Sequence, residues 1–411
     1  MKRAVLALLV VLLAFPVFAE PQSMPRLTIP SALTTGMGGH HVAFTDNVFS
    51  LLVNPGAITQ TRQRSFVNVA VTLDSPGMIF DMVENVFVMF SELRDGETPG
   101  VGAFLEPLGQ QAGQISIGLG FPAIPLVSFA SVRDGFGIGF WQNFHVNANL
   151  NGLNSEFKFM TDVVLPVGFG FRILDTGRHN LDAGVTLTPF VRAMFDVGPM
   201  PVLDLIDQID GIIEDIHIPV IAGGTVSAGL MYRWGNGLRL GAAFNDIFTI
   251  GRVIYELTPD GLGSASDGRP KYNIPFTLDL GAAYQVRLSN LLNLTVAASW
   301  HNVFNVFNQT DYLNSRNYTL DFSAGAQLTL LNFVHARVGI NEMLPSLGAG
   351  ISLGPLCVDF SYYGRELGIE PGQFPFASAD ISIAIRTSPS PANRAWNRRS
   401  LIGRFGGPES D

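Results

Sequence analysis

The residues able to do chemistry are few and poorly spaced for it. Histidines stand at 40, 41, 145, 179, 217, 301 and 335, with no His-x-x-x-His spacing, and the single Cys357 leaves no Cys-x-x-Cys pair. A zinc site needs such convergent ligands, so the sequence predicts no metal and no cofactor. The adjacent His40 and His41 read as packed or hydrogen-bonded groups. No P-loop occurs; "GFGIGF" at 135–140 has spaced glycines but alternates as a strand does. One enzymatic reading stays open, an outer-membrane phospholipase with Ser and His on one strand. Otherwise the chain reads as a non-enzyme.

The segment that stands out is "GMGGHHVAFTDNVFSLLVNPGAI", residues 36–58, glycine-punctuated and without a lasting helical or strand period. Its setting comes from what precedes it. Lys2 and Arg3, the apolar Ala4–Val17 and the small-residue end Val17-Phe18-Ala19 form a secretory signal peptide over 1–19. The apolar run is too short for a spanning helix, which needs about 20 residues. Taking residues 1–19 from 411 leaves 392, and removing two cations turns 25 Lys+Arg against 34 Asp+Glu into 23 against 34, a net −11. That acidic balance argues against a nucleic-acid partner. Charged residues are only 14%, against about 25% in soluble domains. Lone Cys357 excludes an internal disulfide framework.

So low a charge raises the question of a membrane. The longest uncharged apolar run after the leader, Ile115–Val132, contains Pro122 and Pro125, and proline in a helix interior costs about 3 kcal/mol. A helix there is excluded, and a membrane protein of this composition must be a closed barrel. Period-two patterning agrees. Over 181–197, Leu181, Val185, Leu187 and Val191 fall on one face and Asp182, Thr186, Thr188 and Arg192 on the other; 276–288 and 320–328 alternate likewise. Long strands with one apolar face are the signature of transmembrane β-barrels.

Connection lengths point the same way. Long loops at 74–114, 197–222, 251–273, 303–318 and 365–376 alternate with tight turns at Arg133-Asp134-Gly135, Asp175-Thr176-Gly177, Gly235-Asn236-Gly237, Ser289-Asn290, Asn332 and Gly354-Pro355. Barrels of the outer membrane have short periplasmic turns and longer outside loops. The expected fold is all-β, a 14-stranded antiparallel transmembrane barrel over 65–386 with both termini periplasmic. Residues 202–216 and 78–93 carry helical stripes and are expected as short helices in outside loops. The segment 20–64 then forms a hatch in the periplasm or the lumen, because wall side chains cannot fill so wide a barrel. The tail 387–411 is expected in the periplasm.

With this placement, the hatch motif becomes specific. "GMGG", "VAFTDN" and "NPGAI" resemble the N-terminal hatch of the outer-membrane long-chain fatty acid transporter family, and within it a spirochaetal branch. Two departures stand out: Asn47 replaces a usual Asp, and Pro55-Gly56-Ala57 permutes the usual Pro-Ala-Gly. The resemblance implies uptake of fatty acids or other hydrophobic molecules and sideways release into outer-membrane lipid. Hatch residues carried over are Gly36, Met37, Gly38, Gly39, Asp46, Asn47, Asn54 and Pro55. Pro122 and Pro125 are the candidates for a lateral opening, since proline cannot donate to a sheet ladder.

Inward charge supplies the remaining candidates. Arg172, Arg233, Arg239, Arg287, His335 and Arg337 are expected inside near the periplasmic end, and Asp162, Asp279, Asp321 and Asp380 inside near the other end. The five arginines form candidate lumen and ligand residues. A collar of like charge needs an anion, either hatch Asp46 or a ligand carboxylate held bidentately. Three functions fit: a transporter of hydrophobic molecules, a polar porin, or a barrel scaffold with a periplasmic or secretion-system partner.

Overall fold

The computed structural model describes residues 22–27, 29, 31–45, 47–61, 63–76, 115–120, 128–151, 154–201, 217–235, 237–258, 261–264, 271–308, 316–366, 368–373 and 375–386. The expected leader, the stretches 78–93 and 202–216, the prolines Pro122 and Pro125, Asp46 and the tail 387–411 lie outside them.

Alternating inward and outward side chains make nearly every described segment a strand. In chain order these are β1 (Gln22–Ser23), β2 (Gln63–Pro76), β3 (Ile115–Gly120), β4 (Phe129–Arg133), β5 (Phe136–Asn151), β6 (Asn154–Val164) and β7 (Val167–Asp175). Next come β8 (His179–Pro201), β9 (Ile218–Trp234), β10 (Leu238–Thr258), β11 (Gly261–Ser264), β12 (Lys271–Asn273) and β13 (Thr277–Ser289). The last are β14 (Leu292–Trp300), β15 (Phe322–Leu330), β16 (Val334–Asn341), β17 (Leu344–Leu353), β18 (Leu356–Glu366) and β19 (Pro375–Arg386). Neighbouring wall strands pair antiparallel, and β19 pairs with β2, Phe376 opposite Pro76 and Arg386 opposite Ser65. The ladder thereby returns to its starting strand. Between β5 and β8, β6 and β7 share one position, and Leu165-Pro166 interrupts them without shifting register, since Val164 faces Phe190 and Val167 faces Leu187.

The two faces differ in kind. On β18, Leu356, Val358 and Phe360 point out, while Cys357, Asp359, Ser361 and Tyr363 are buried inside. Phe171 and Leu347 are each 58% exposed on the outer surface, and Leu187 51%. An apolar band that wraps a whole wall is matched to lipid and would be a liability in water. Among the described residues no helix is long and apolar enough to cross a membrane; strands form the wall.

One end carries the expected tight turns, among them Asp134-Gly135 and Gly354-Pro355. The other end is not uniformly long-looped, against the expected alternation. β16 and β17 are joined there by Glu342 and Met343 alone, with φ of 49° and 65°. Paired positive φ values are the geometry of a two-residue hairpin whose twist matches the strands.

The core lies between the wall and the N-terminal segment. Met24, Ile29, Phe49, Leu51 and Ile58 from that segment cluster with Trp141, Phe190, Ile221 and Ile274. One irregularity changes the lining of the lumen. Between Phe244/Ala228 and Phe248/Val226, β10 carries two more residues than β9, and Asp246 has φ 55°. The bulge breaks the inward–outward alternation, so Asn245 and Asp246 are both buried.

Candidate functional site: the N-terminal plug and its seat

The N-terminal segment threads the lumen. β1 lies parallel to β12, Gln22 opposite Tyr272, in the long-loop half of the wall, and the Met24 N–H donates to Asn273 O at 2.8 Å. A short helix, Ala32–Thr35, comes next; Thr34 and Thr35 return their hydroxyls to Ser31 O at 3.0 Å each. After the turn at 36–39, helix Ser50–Val53 and the 3₁₀ turn Pro55–Gln60 carry the chain to the tight-turn end and into β2.

Each candidate hatch residue among those described has a definite place. Gly38 and Gly39 have φ of +87° and +109°, which side chains rarely tolerate. Gly36 has an ordinary helical φ; its need is space, because a Cβ there would meet the Cα of Gly348 at 2.9 Å. Buried Met37 offers its carbonyl to His41 Nε2 at 2.8 Å. Asn47 Oδ1 accepts from the Phe49 N–H at 2.9 Å. Asn54 is fully buried: its Oδ1 accepts from the Gly56 N–H, and its Nδ2 donates to Val42 O, both at 2.9 Å, and to Leu230 O of β9 at 3.2 Å. Pro55 opens the 3₁₀ turn, where its missing N–H leaves nothing unsatisfied.

The wall receives this segment on glycines, a feature sequence reasoning missed. Paired across strands are Gly184 and Gly229, Gly241 and Gly281, and Gly325 and Gly339. A Cβ at Gly184 would run into Pro55 O, at Gly229 into Asn54 and Gly56, at Gly241 into Val42 O, and at Gly325 or Gly339 into Met37. Glycine inside a strand marks close approach of another backbone, and here the backbone is the plug. In the sequence these glycines are isolated small residues of an alternating strand; only the register shows that they fall side by side.

Two kinds of contact complete the seat. On one side Leu51 packs over Gly137 and Gly168, Ile58 over Gly168 and Gly170, and Phe49 stacks on Trp141 with ring centres 6.0 Å apart. On the other, Thr35 Oγ1 lies within hydrogen-bond distance of Ser361 Oγ and, at 3.0 Å, of Asp380 Oδ2, the two wall groups competing with Ser31 O for its one proton. There, Ser299 Oγ accepts from the Val42 N–H at 3.0 Å and meets His41 Nδ1 at 3.5 Å. Burial holds His40 and His41 neutral, each pushed down to about 4, with the nearby His301 adding to the effect for both.

The five inward arginines stand near the tight-turn end, and wall carboxylates face Arg172, Arg233 and Arg337. Asp182, directly opposite Arg172 in the ladder, accepts from Arg172 Nε at 2.8 Å and lies 3.5 Å from Arg233 Nη2. The plug's Gln60 Nε2 donates to the same carboxylate at 2.8 Å. Asp359 takes Arg337 Nη1 at 2.9 Å and Arg386 Nη2 at 3.2 Å. Arg239 Nη2 donates to Gln285 Oε1 at 3.4 Å, and Arg287 bonds to Asn290 Oδ1 at 2.6 Å within its own turn. Neither Asp182 nor Asp359 stands out in the sequence, because strand register, and not spacing, brings them to the arginines.

At the long-loop end the polarity reverses, and the plug supplies a cation. Arg26 Nη1 binds Asp279 Oδ2 at 2.8 Å, and its Nε lies 3.8 Å from Asp246 Oδ2. Asp279 also accepts from Asn245 Nδ2 at 2.9 Å and the Asn302 N–H at 2.8 Å. Arg192 grips Asp162 through two nitrogens at 2.6 and 2.9 Å and donates a third hydrogen bond to Pro25 O. Asp321 holds Asn305 Nδ2 at 2.6 Å.

One motif is easily passed over in the sequence: Gly350-Ile351-Ser352-Leu353-Gly354 spells Gly-x-Ser-x-Gly, and Ser352 Oγ lies 3.1 Å from His335 Nε2. The context is wrong for a nucleophile, which needs a strand-to-helix elbow with free amides. Ser352 lies on a hairpin strand with its N–H committed to Phe333 O, and His335 Nδ1 faces the Thr329 hydroxyl at 3.2 Å, not a carboxylate. Among the described residues no three His, Cys, Asp or Glu side chains converge as metal ligands would.

No protein-family model matches this chain, and no curated protein matches it in sequence. Solved structures with a similar course of chain include the Pseudomonas putida toluene transporter TodX, at TM-score 0.41 and 11% identity, covering 90% of this chain and 99% of that one. The CymD monoaromatic hydrocarbon channel gives TM-score 0.43 and 12% identity over 86% and 96% of the two chains. A Pseudomonas aeruginosa FadL homologue gives 0.41 and 11% over 89% and 99%.

Proposed function

We propose that this protein is an outer-membrane β-barrel of fourteen wall strands, exported by the leader 1–19, that admits hydrophobic molecules past a movable N-terminal plug over 20–64. The observation that carries the reading is the apolar half of the seat. Phe49, Leu51 and Ile58 of the plug face Trp141, Phe190 and Ile221 of the wall, so moving the plug uncovers a greasy surface inside the barrel. A general porin needs instead a wet, charged constriction. Small, well-placed polar groups beside an apolar surface are the usual composition of a ligand site. Long-chain fatty acids and other hydrophobic molecules are the substrates we assign, delivered sideways into outer-membrane lipid near Pro122 and Pro125.

Uptake of N-phenyl-1-naphthylamine into intact cells tests the reading. Cells making the chain should take up the dye faster than cells without it, and deleting residues 20–58 should raise ion conductance in planar bilayers while the barrel stays folded. Replacing Pro122 and Pro125 by Val should slow sideways delivery of a fluorescent fatty acid. A plug-deleted barrel that neither conducts nor speeds uptake assigns the chain to the scaffold class, where the filled interior is permanent.

A further inference from the structure

The arm that leads into the plug sits in a two-part socket. Met24 and Ile29 pack among Ile221, Val253, Tyr272 and Ile274. Between them in sequence, Arg26 reaches Asp279 and Asp246, whose side chains are 2% and 6% exposed. Asp246 stands there because the β10 bulge turns it inward, and Thr225 Oγ1 fixes its second oxygen at 2.7 Å. Next to them Asn245, 1% exposed, gives its amide to Asp279 and leaves its own Oδ1 buried without a hydrogen-bond partner. An unmade hydrogen bond at a buried acceptor costs about 1–3 kcal/mol, so a donor reaching this oxygen would be stabilising. Arg26 itself is 32% exposed, so its guanidinium side chain is not sealed in.

We propose that this socket is a binding site for cationic amphiphiles, molecules with an ammonium or guanidinium head on an apolar body, and that the Met24–Ile29 arm is its resident competitor. The proposal rests on the hydrophobic-molecule reading above and, at this socket, departs from its fatty-acid assignment by selecting a cationic head. Two buried carboxylates and an unfilled amide oxygen are all acceptors. They favour a head that donates several hydrogen bonds and carries positive charge. A carboxylate head would meet like charge. The apolar cluster alongside takes the body, as it takes Met24 and Ile29. The chain's acidic balance, −9 in all, draws cations towards it over longer range.

Displacement of the arm reads this out. The full chain, as the Cys357→Ser variant in lipid nanodiscs, carries a polarity-sensitive fluorophore on Ser23→Cys, and octylamine, octanol, octanoate and ethylamine are titrated at neutral pH. Octylamine should release the arm at about tenfold lower concentration than octanol, the gain expected of hydrogen bonds to charged groups; octanoate should be weaker still, and ethylamine, without a body, inert. Arg26→Gln removes the arm's competing cation while Met24 and Ile29 remain, and should tighten octylamine by about tenfold. Asp279→Asn should abolish its advantage over octanol; where that variant does not fold, Asp246→Asn takes its place. Equal displacement by octylamine, octanol and octanoate would overturn the cation site and leave the hydrophobic-channel reading standing. Release by ethylamine as effective as by octylamine would reduce the socket to general cation binding and overturn the amphiphile class. No displacement by any of them would overturn the amphiphile site and leave the hydrophobic-channel reading to the dye-uptake test.

Discussion

The two sides of the plug are held by opposite means. Towards β5–β7 the contact is side chain into hollow: Leu51 and Ile58 drop onto Gly137, Gly168 and Gly170, and Phe49 lies on Trp141. Towards β13–β19 the contact is backbone on backbone with hydroxyls between, as Met37 passes over Gly325 and Gly339 and Thr35 meets Ser361 and Asp380. Apolar burial is non-directional and tolerates sliding, whereas hydrogen bonds fix one position. The apolar side therefore supplies most of the adhesion, and the polar side supplies the register.

The strongest blow to that division is steric. Gly325→Val with Gly339→Val suits strand backbone but drives side chains into Met37, so the plug should fail to seat on its polar side. Ion conductance in planar bilayers should rise from closed to open, and proteases should reach residues 20–58. A closed, protected double variant would show that the glycine seam is not the seat. Next in size, Arg192→Gln leaves the buried Asp162 without its partner, a loss of about 3–5 kcal/mol that urea unfolding of the barrel should register; an unchanged midpoint would dismiss this pair as an anchor.

Leu51→Ala tests the adhesive side. It should loosen the plug by about 3 kcal/mol, the usual cost of truncating a buried leucine, read as faster hydrogen exchange over 48–58 with the polar side still protected. Loss of protection on both sides together would mean that the halves are one unit. Acidification acts on both sides, through His41 beside Ser299 and His40 beside Phe49. His40 and His41 have seated values of about 4, below the ordinary 6.5, so the seated plug binds fewer protons than the released one. Their contribution is complete above pH 6.5 and lost as pH falls towards 4. Conductance should climb several-fold across that window, and His41→Gln should flatten the climb. The smallest effect is expected at the tight-turn end. Replacing Arg233 by Ala leaves Asp182 with Arg172 and Gln60, so the seat should weaken by about 1 kcal/mol. A large ion leak in that variant would return the arginine collar to a central role.

Much of the wall is legible in the sequence alone. The outward face of 181–197 reads directly from alternation, and Val185, Leu187 and Val191 are exposed there. The six tight turns announce themselves through Gly, Asn and Asp. The two-residue connection at Glu342 and Met343 does not, because neither residue favours the positive φ that it adopts there. In the hatch, Gly38 and Gly39 are legible as residues of special backbone, while Arg26 is not, since a single arginine after a proline carries no pattern.

What the sequence by itself determined is what depends on near neighbours: strand period, turn chemistry, and the irregular, glycine-punctuated character of residues 36–58. What only the tertiary structure decided is what depends on strands far apart in the chain. Gly184 lies beside Gly229, and Arg26 reaches Asp279, 253 residues away. Asn245 and Asp246 turn inward together because a bulge shifts the register of β10 against β9. Register is set by the sum of all pairings around the wall, and a one-residue slip would send every one of these side chains to the opposite face.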